Sequence, residues 1–232
     1  MTYHYQTRSK KVMGDLHSPV SIYLKVRDTF PRSALLESSD FHAHKDSISY
    51  VALNPIAHVE VNRGMCTSSF PDGRQKQREL SESFTISDAL IGFTESFEVT
   101  GDEAARCGLF GYTTFNCVKY TENIDIRESK ESTNDAPDML YILYKYLLVF
   151  DHFSDEVTLI ELQEEGAPSS LHEVEMLINR RDFATYNFSP RGEPYSTVSE
   201  EEFMEIARKG VQHCMRGDVF QIVLSRRFVQ PF

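Results

Sequence analysis

Apolar residues recur along most of this chain at every second position, the spacing of half-buried strands, and at three-and-four spacing in three stretches, the spacing of amphipathic helices. Val20, Ile22, Leu24 and Val26 alternate with polar neighbours and predict a strand. Ser47 to Leu53 predicts another, Asn54-Pro55 a turn and Ile56 to Asn62 its return, which together predict a hairpin. Gly64 to Ser83 reads as a polar, turn-rich loop with Pro71-Asp72-Gly73 at its tip, followed by the basic run Arg74 to Arg78. Ile86 to Phe93 predicts a short helix capped by Thr85 or Ser87, with Phe97 and Val99 beyond it. Arg106 to Phe115 reads as a central strand, because glycines inside an apolar, aromatic run mark close approach of another backbone.

Glu122 to Asp138 is acidic and poor in apolar residues, and predicts a mobile surface loop. Met139 to Phe150 and Glu156 to Gln163 predict a second hairpin turning at Asp151-His152, and Leu171 to Phe183 a helix. Residues 1–17 are polar and read either as a leading strand or as a loose arm. The Pro- and Gly-rich stretch Ser189 to Pro194 predicts the domain boundary. Beyond it, Ser199 and Glu202 form a capping box that opens a helix running to about Arg216, Gly217 stops that helix, and Val219 to Val229 predicts a long strand. The fold class predicted is α+β, mainly antiparallel β-sheets in a sandwich-like arrangement with flanking helices. The domains predicted are 1–190 and 191–232.

Composition narrows the function. The 232 residues are 41% hydrophobic and 12% aromatic, enough for a sizeable core. With 35 carboxylates against 24 Lys plus Arg, the formal charge of -11 opposes nucleic-acid binding, which depends on neutralising phosphates. Cys66, Cys107, Cys117 and Cys214 form no C-x-x-C pair, so neither a zinc site nor a redox motif is written, and free thiols in a reducing cytoplasm are expected. Met1 to Leu16 lacks the apolar segment of a secretory signal. The longest apolar run, Tyr141 to Phe150, is interrupted by Lys145, and no membrane span or membrane partner is expected.

The candidate chemistry lies in Ser33 to Phe41. Leu35 and Leu36 are apolar anchors, Glu37 offers a fixed negative charge suited to an ammonium group, and Ser38 and Ser39 can donate or accept. Exposed peptide N–H groups there could hold a carboxylate, which together describe an amino-acid pocket. The same residues also suit an ordinary capped turn. Asp151 beside His152 resembles a catalytic pair, but adjacent residues at a strand end point apart, and the reading is structural. Arg74 to Arg78 reads as a solvated basic loop.

Leu35-Leu36-Glu37-Ser38, Gly108-Leu-Phe-Gly-Tyr112, Val149-Phe-Asp-His152 and Gly217-Asp-Val-Phe-Gln-Ile-Val-Leu-Ser-Arg-Arg-Phe228 occur in this order. Together they resemble the N-terminal part of anthranilate synthase component I, within the chorismate-utilising enzymes. The resemblance implies a parent lyase that converts chorismate and ammonia to anthranilate and pyruvate in tryptophan biosynthesis, with Mg2+. It implies a glutamine amidotransferase subunit, component II, as partner, and tryptophan as feedback effector bound in part by Leu36, Glu37 and Ser38. A lysine that contributes in some relatives falls near Ile48, with Lys45 the nearest basic residue. In the family the catalytic and metal-binding residues lie downstream of Phe232, so none is expected here and neither metal nor turnover is expected of the 232 residues alone. Residues 1–190 would then be the tryptophan-sensing domain, and 191–232 a linker with the first helix and strand of the chorismate domain. Gln221, Ser225 and Arg226 are read as framework. Two alternatives stand: aminodeoxychorismate synthase component I, which shares all but the selective L-L-E-S, and a stand-alone amino-acid-binding module.

Overall fold

A computed structural model describes residues 2–38, 47–124, 126, 136–180 and 185–232. The chain divides into two compact units, Met1–Ala184 and Thr185–Phe232. The first contains β1 (Tyr3–Met13), α1 (Pro19–Val26), β2 (Ala34–Leu36), β3 (Ile48–Asn62), β4 (Met65–Ser69), β5 (Gln75–Glu79), α2 (Ile86–Thr94), β6 (Phe97–Thr100), β7 (Leu109–Thr113), β8 (Met139–Asp151), β9 (Glu156–Glu164) and α3 (Leu171–Ile178). The second contains β10 (Tyr195–Ser196), α4 (Glu200–Arg216) and β11 (Phe228–Val229).

Among the described residues one nine-stranded sheet organises the first unit, in the order β5-β4-β3-β8-β9-β1-β6, with β2 also beside β3 and β7 also beside β8. Its pairings are antiparallel except β1 with β6. The long pair β3 and β8 is the spine. It can be that long because Met139 to Phe150 is apolar and aromatic almost throughout, and most of it is buried.

Pro55 does not break β3, contrary to the predicted turn. Asn54 takes a positive φ of 59°, which asparagine tolerates, and the register against β8 shifts between Pro55 and Ala57. An irregularity absorbs the missing N–H where a turn would have ended the strand. Two further expectations change. The loop 64–83 contains the β4–β5 hairpin, although its turn does fall at Pro71 to Gly73. The glycine-aromatic stretch yields β7, which pairs with β8 and no other described strand, so it is marginal and not central. Gly111 nevertheless meets a backbone closely, since a Cβ there would overlap the Leu140 carbonyl, whereas Gly108 faces open space.

Val20 to Val26 is a helix and not a strand. Ser18 caps it, its hydroxyl accepting the Ser21 N–H at 3.1 Å while the Ser21 hydroxyl takes the Ser18 N–H at 3.0 Å, and Pro19 occupies the first turn. Ile22 and Val26, four residues apart, are fully buried, while Val20 is 42% exposed. The pair packs with Leu53 and Leu148 of the sheet and with Val174 and Ile178 of α3, each buried side chain contributing roughly 1.5–3 kcal/mol. Lys25 reinforces the contact by donating to the Ile178 carbonyl at 2.8 Å. A second core gathers Val59, Met139, Leu143 and Leu162 beneath Ile86, Ala89 and Phe93 of α2, the helix that Thr85, one of its two candidate caps, opens. Of the stretch 1–17, Tyr3–Met13 forms β1, whose Tyr3 stacks on Phe70 and Phe97. The helix predicted over 171–183 ends at Ile178, and 181–184 lie outside the described residues, as does most of the acidic stretch 122–138.

In the second unit the capping box holds as read. The Ser199 hydroxyl accepts the Glu202 N–H at 3.1 Å, the Glu202 carboxylate accepts the Ser199 N–H at 2.8 Å, and Gly217 closes α4 with φ 79°. The long strand predicted from Val219 shrinks to β11, which pairs with β10. A strand needs a ladder, and among the described residues only those two positions of β10 supply one, so Phe220 and Val223 are left 99% and 84% exposed. Leu224 instead packs over Gly210 of α4, and Arg226 donates to the Ser196 hydroxyl at 2.9 Å and the Val198 carbonyl at 3.0 Å.

Candidate functional site

The antiparallel ladder between β3 and β8 builds the site. Ile48 pairs with Asp151 and Ser49 with Phe150, so the turn after β8 lies beside the start of β3. On the other side of β3, β2 pairs Leu36 with Tyr50, which delivers Glu37 and Ser38 to the same place. Two neighbouring segments and a third 103 residues further on thus converge.

Leu35 is partly buried against the α1 core, but Leu36 is 39% exposed, so one anchor serves where two were predicted. Ser38 donates its N–H to the Ser49 hydroxyl at 3.0 Å, and the hydroxyls of Ser47 and Ser38 lie 3.4 Å apart. That peptide N–H is therefore engaged inside the protein and does not face a ligand carboxylate. Ser39 to Phe41 and Lys45 lie outside the described residues.

Glu37 is exposed and lines a cleft of about 270 Å³ together with Gly14, His17, Ser18, His152 and Asp155. Asp151 and Glu156 also border it, giving four carboxylates against two histidines among the described residues, with Glu156 paired to Lys11 at 2.7 Å. Such a wall favours an ammonium group over an anion. Burial pushes the His17 imidazole below its usual range and the Lys25 charge adds to that, which keeps this histidine neutral at physiological pH. Among the described residues, His17 Nδ1 has no hydrogen-bond partner.

Asp151 and His152 point to different partners. Burial raises the Asp151 pKa, but the N–H groups of Ser154 and Phe153 outweigh it and hold the carboxyl below its ordinary range. This carboxylate thereby fixes its own turn. His152 turns the other way, its ring Nε2 lying 2.7 Å from the Ser49 hydroxyl and its backbone N–H donating to the Ser47 carbonyl at 3.1 Å. Ser49 and His152 were not read as part of the site from the sequence; the signal was the pairing of the 47–53 and 146–151 strands, which fixes residue 152 beside residue 47.

No group of three or more His, Cys, Asp or Glu side chains assembles into a metal ligand set among the described residues, so these residues do not fit the Mg2+ implied by the resemblance. Among those same residues no helix is long and apolar enough to cross a membrane. The described cysteines are free.

A profile of the family described as chorismate binding enzyme matches residues 32–232. The chain is 26% identical over 237 residues to anthranilate synthase component 1 of Lactococcus lactis, an alignment that covers 96% of this chain and 49% of that protein. It is 31% identical over 199 residues to the chloroplastic anthranilate synthase alpha subunit 1 of Arabidopsis thaliana, covering 75% of this chain and 32% of that one. The crystal structure of anthranilate synthase component I from Streptococcus pneumoniae shares the fold, with a TM-score of 0.54 at 21% identity over 94% of this chain and 48% of that one. The chain spans about half the length, or less, of these relatives.

Proposed function

Since this chain belongs to the chorismate-binding enzyme family, we propose that it is the N-terminal, effector-sensing part of an anthranilate synthase component I. The parent converts chorismate and ammonia to anthranilate and pyruvate in the cytoplasm, with Mg2+ and with ammonia delivered by a glutamine amidotransferase subunit. The first unit senses the end product, tryptophan, and the second contributes to the chorismate domain.

The observation that carries the effector reading is the placement of Glu37: an exposed carboxylate on the wall of an acidic cleft, next to a Ser38 whose backbone is pinned by Ser49. An α-ammonium group beside Glu37 makes a charge-assisted hydrogen bond, and the other carboxylates of the cleft repel competing anions. Because the Ser38 N–H is already bonded, the carboxylate and ring of tryptophan are held by groups other than this amide. On this reading the 232 residues bind tryptophan weakly and form no anthranilate by themselves.

The test is an assay of the full-length gene product with chorismate and ammonium ions, followed by anthranilate fluorescence and product identification. Anthranilate formation that tryptophan suppresses supports the proposal. Aminodeoxychorismate as product overturns the assignment of branch, and anthranilate formation indifferent to tryptophan overturns the effector site.

A further inference from the structure

From the contacts between β3 and the turn after β8, we infer that His152 is a positioning residue of the Glu37–Ser38 segment, acting through Ser49. This deepens the effector reading and rests on it for its functional meaning, although the geometry stands by itself.

Ser49 is fully buried, so both its lone pairs and its hydrogen must be accounted for within the protein. Its oxygen accepts the Ser38 N–H at 3.0 Å. Its own hydrogen then needs an acceptor, and His152 Nε2 stands 2.7 Å away. The chain of donors therefore runs from the Ser38 N–H to Ser49 Oγ and from the Ser49 O–H to His152 Nε2. That direction requires a neutral ring carrying its proton on Nδ1. Reversing it would place two donors on Ser49 and leave the hydroxyl hydrogen to find another acceptor at a buried position.

The ring is not needed to hold the sheet. The ladder is already made by the Ile48–Asp151 pairing and by the His152 N–H to the Ser47 carbonyl, and the turn is fixed by the Asp151 carboxylate. What the imidazole adds is an acceptor that orients the Ser49 hydroxyl, which in turn fixes the peptide plane between Glu37 and Ser38. Fixing that plane fixes where the Glu37 side chain leaves the backbone, and hence its aim along the cleft that His152 also lines. The residue thus works on the effector without having to touch it.

The test has two parts. On the 232-residue chain, long-range nitrogen–proton NMR reads the ring tautomer, and amide hydrogen exchange reads the Ser38 N–H. A neutral His152 with a bare Nε2 is expected; a proton on Nε2, whether the ring is neutral or charged, overturns the inference. His152→Ala is expected to speed exchange at Ser38 about tenfold, with Leu159 in β9 unaffected, while His152→Gln, whose amide oxygen reaches the same place, stays within about threefold of wild type. Unchanged Ser38 exchange in His152→Ala overturns it, and so does equal acceleration in both variants, which would mark a bulk structural role. In the full-length gene product, His152→Ala is expected to raise the tryptophan needed for half inhibition about tenfold at unchanged turnover, with the glutamine variant close to wild type. If the wild-type enzyme ignores tryptophan, the effector reading falls, and the tautomer and exchange results still decide the relay.

Discussion

Glu161 gives the sharpest test of how the first unit is held together. Its side chain is 1% exposed, yet it sits in β9 in the middle of an otherwise apolar run. It accepts from the Ser169 hydroxyl at 2.7 Å, from the Ser170 hydroxyl at 2.6 Å and from the Ser170 N–H at 3.0 Å, with Lys145 Nζ at 3.3 Å. These bonds tie the entry of α3, at its N-cap residue Ser170, to the centre of the sheet. Burial by itself would raise the carboxyl pKa, but the two serine hydroxyls, the Ser170 N–H and the Lys145 ammonium outweigh it and hold the group below the usual glutamate range.

Hydrogen bonds to a charged group are worth about 1.5–3 kcal/mol each but do not add, and removing one partner of a buried pair costs about 3–5 kcal/mol. Lys145 is 31% exposed and can turn to water, which discounts the ion-pair share. Glu161→Ala is therefore expected to cost about 3 kcal/mol, or roughly 6–12 °C in melting temperature for a unit of this size. Glu161→Gln, which keeps the shape but points donors at donors, is expected to cost about 2 kcal/mol. The pH dependence has a definite sign. The folded pKa lies below the unfolded value, so the unfolded chain takes up the proton first, and the contribution is complete above the ordinary glutamate pKa of about 4.3. It disappears as the pH falls through the folded value. Thermal unfolding followed by circular dichroism should then show the gap between wild type and Glu161→Gln widest at neutral pH and closing in acid. A gap that does not change with pH, or a loss below about 1 kcal/mol in Glu161→Ala, would refute this account.

Two further outcomes test the packing and the thiols. Gly111→Ala is expected to destabilise by about 1–3 kcal/mol, because its Cβ would overlap the Leu140 carbonyl, while Gly108→Ala, facing open space, should stay within about 0.5 kcal/mol in denaturant titrations. Cys107, whose thiol is pushed up to about 11 by burial and then by the Glu103 charge, should alkylate far more slowly at pH 8 than a model thiol, as read by peptide mass spectrometry after iodoacetamide; labelling at the model rate would count against that burial.

What could be read from the sequence was mostly what local chemistry decides. Thr85, Ser199, Glu202 and Gly217 announce helix ends because capping is settled within four residues. Met139 to Phe150 and its return strand are legible because apolar runs of that length have few other uses. Where two local signals competed, the period misled: Val20, Ile22, Leu24 and Val26 alternate, yet Ser18-Pro19 opens a helix whose buried pair is Ile22 and Val26. Asn54-Pro55 reads as a turn unless the partner strand is known, since only pairing with β8 reveals the irregularity. The stretch from Val219 has strand composition but little to pair with among the described residues. Within the site, Glu37 and Ser38 by themselves suit an ordinary capped turn, and they stand out only in the company of the other motifs that carry the resemblance. Ser49 and His152 do not, because a serine and a histidine 103 residues apart become neighbours only through strand register.

The most direct measurement is tryptophan inhibition of anthranilate formation by the full-length gene product carrying Glu37→Ala. Losing one charge-assisted contact to the ammonium group should raise the tryptophan needed for half inhibition by about ten- to a hundredfold, with kcat and the KM for chorismate unchanged. Inhibition by tryptophan at the wild-type concentration would show that Glu37 does not hold the effector and would contradict the account.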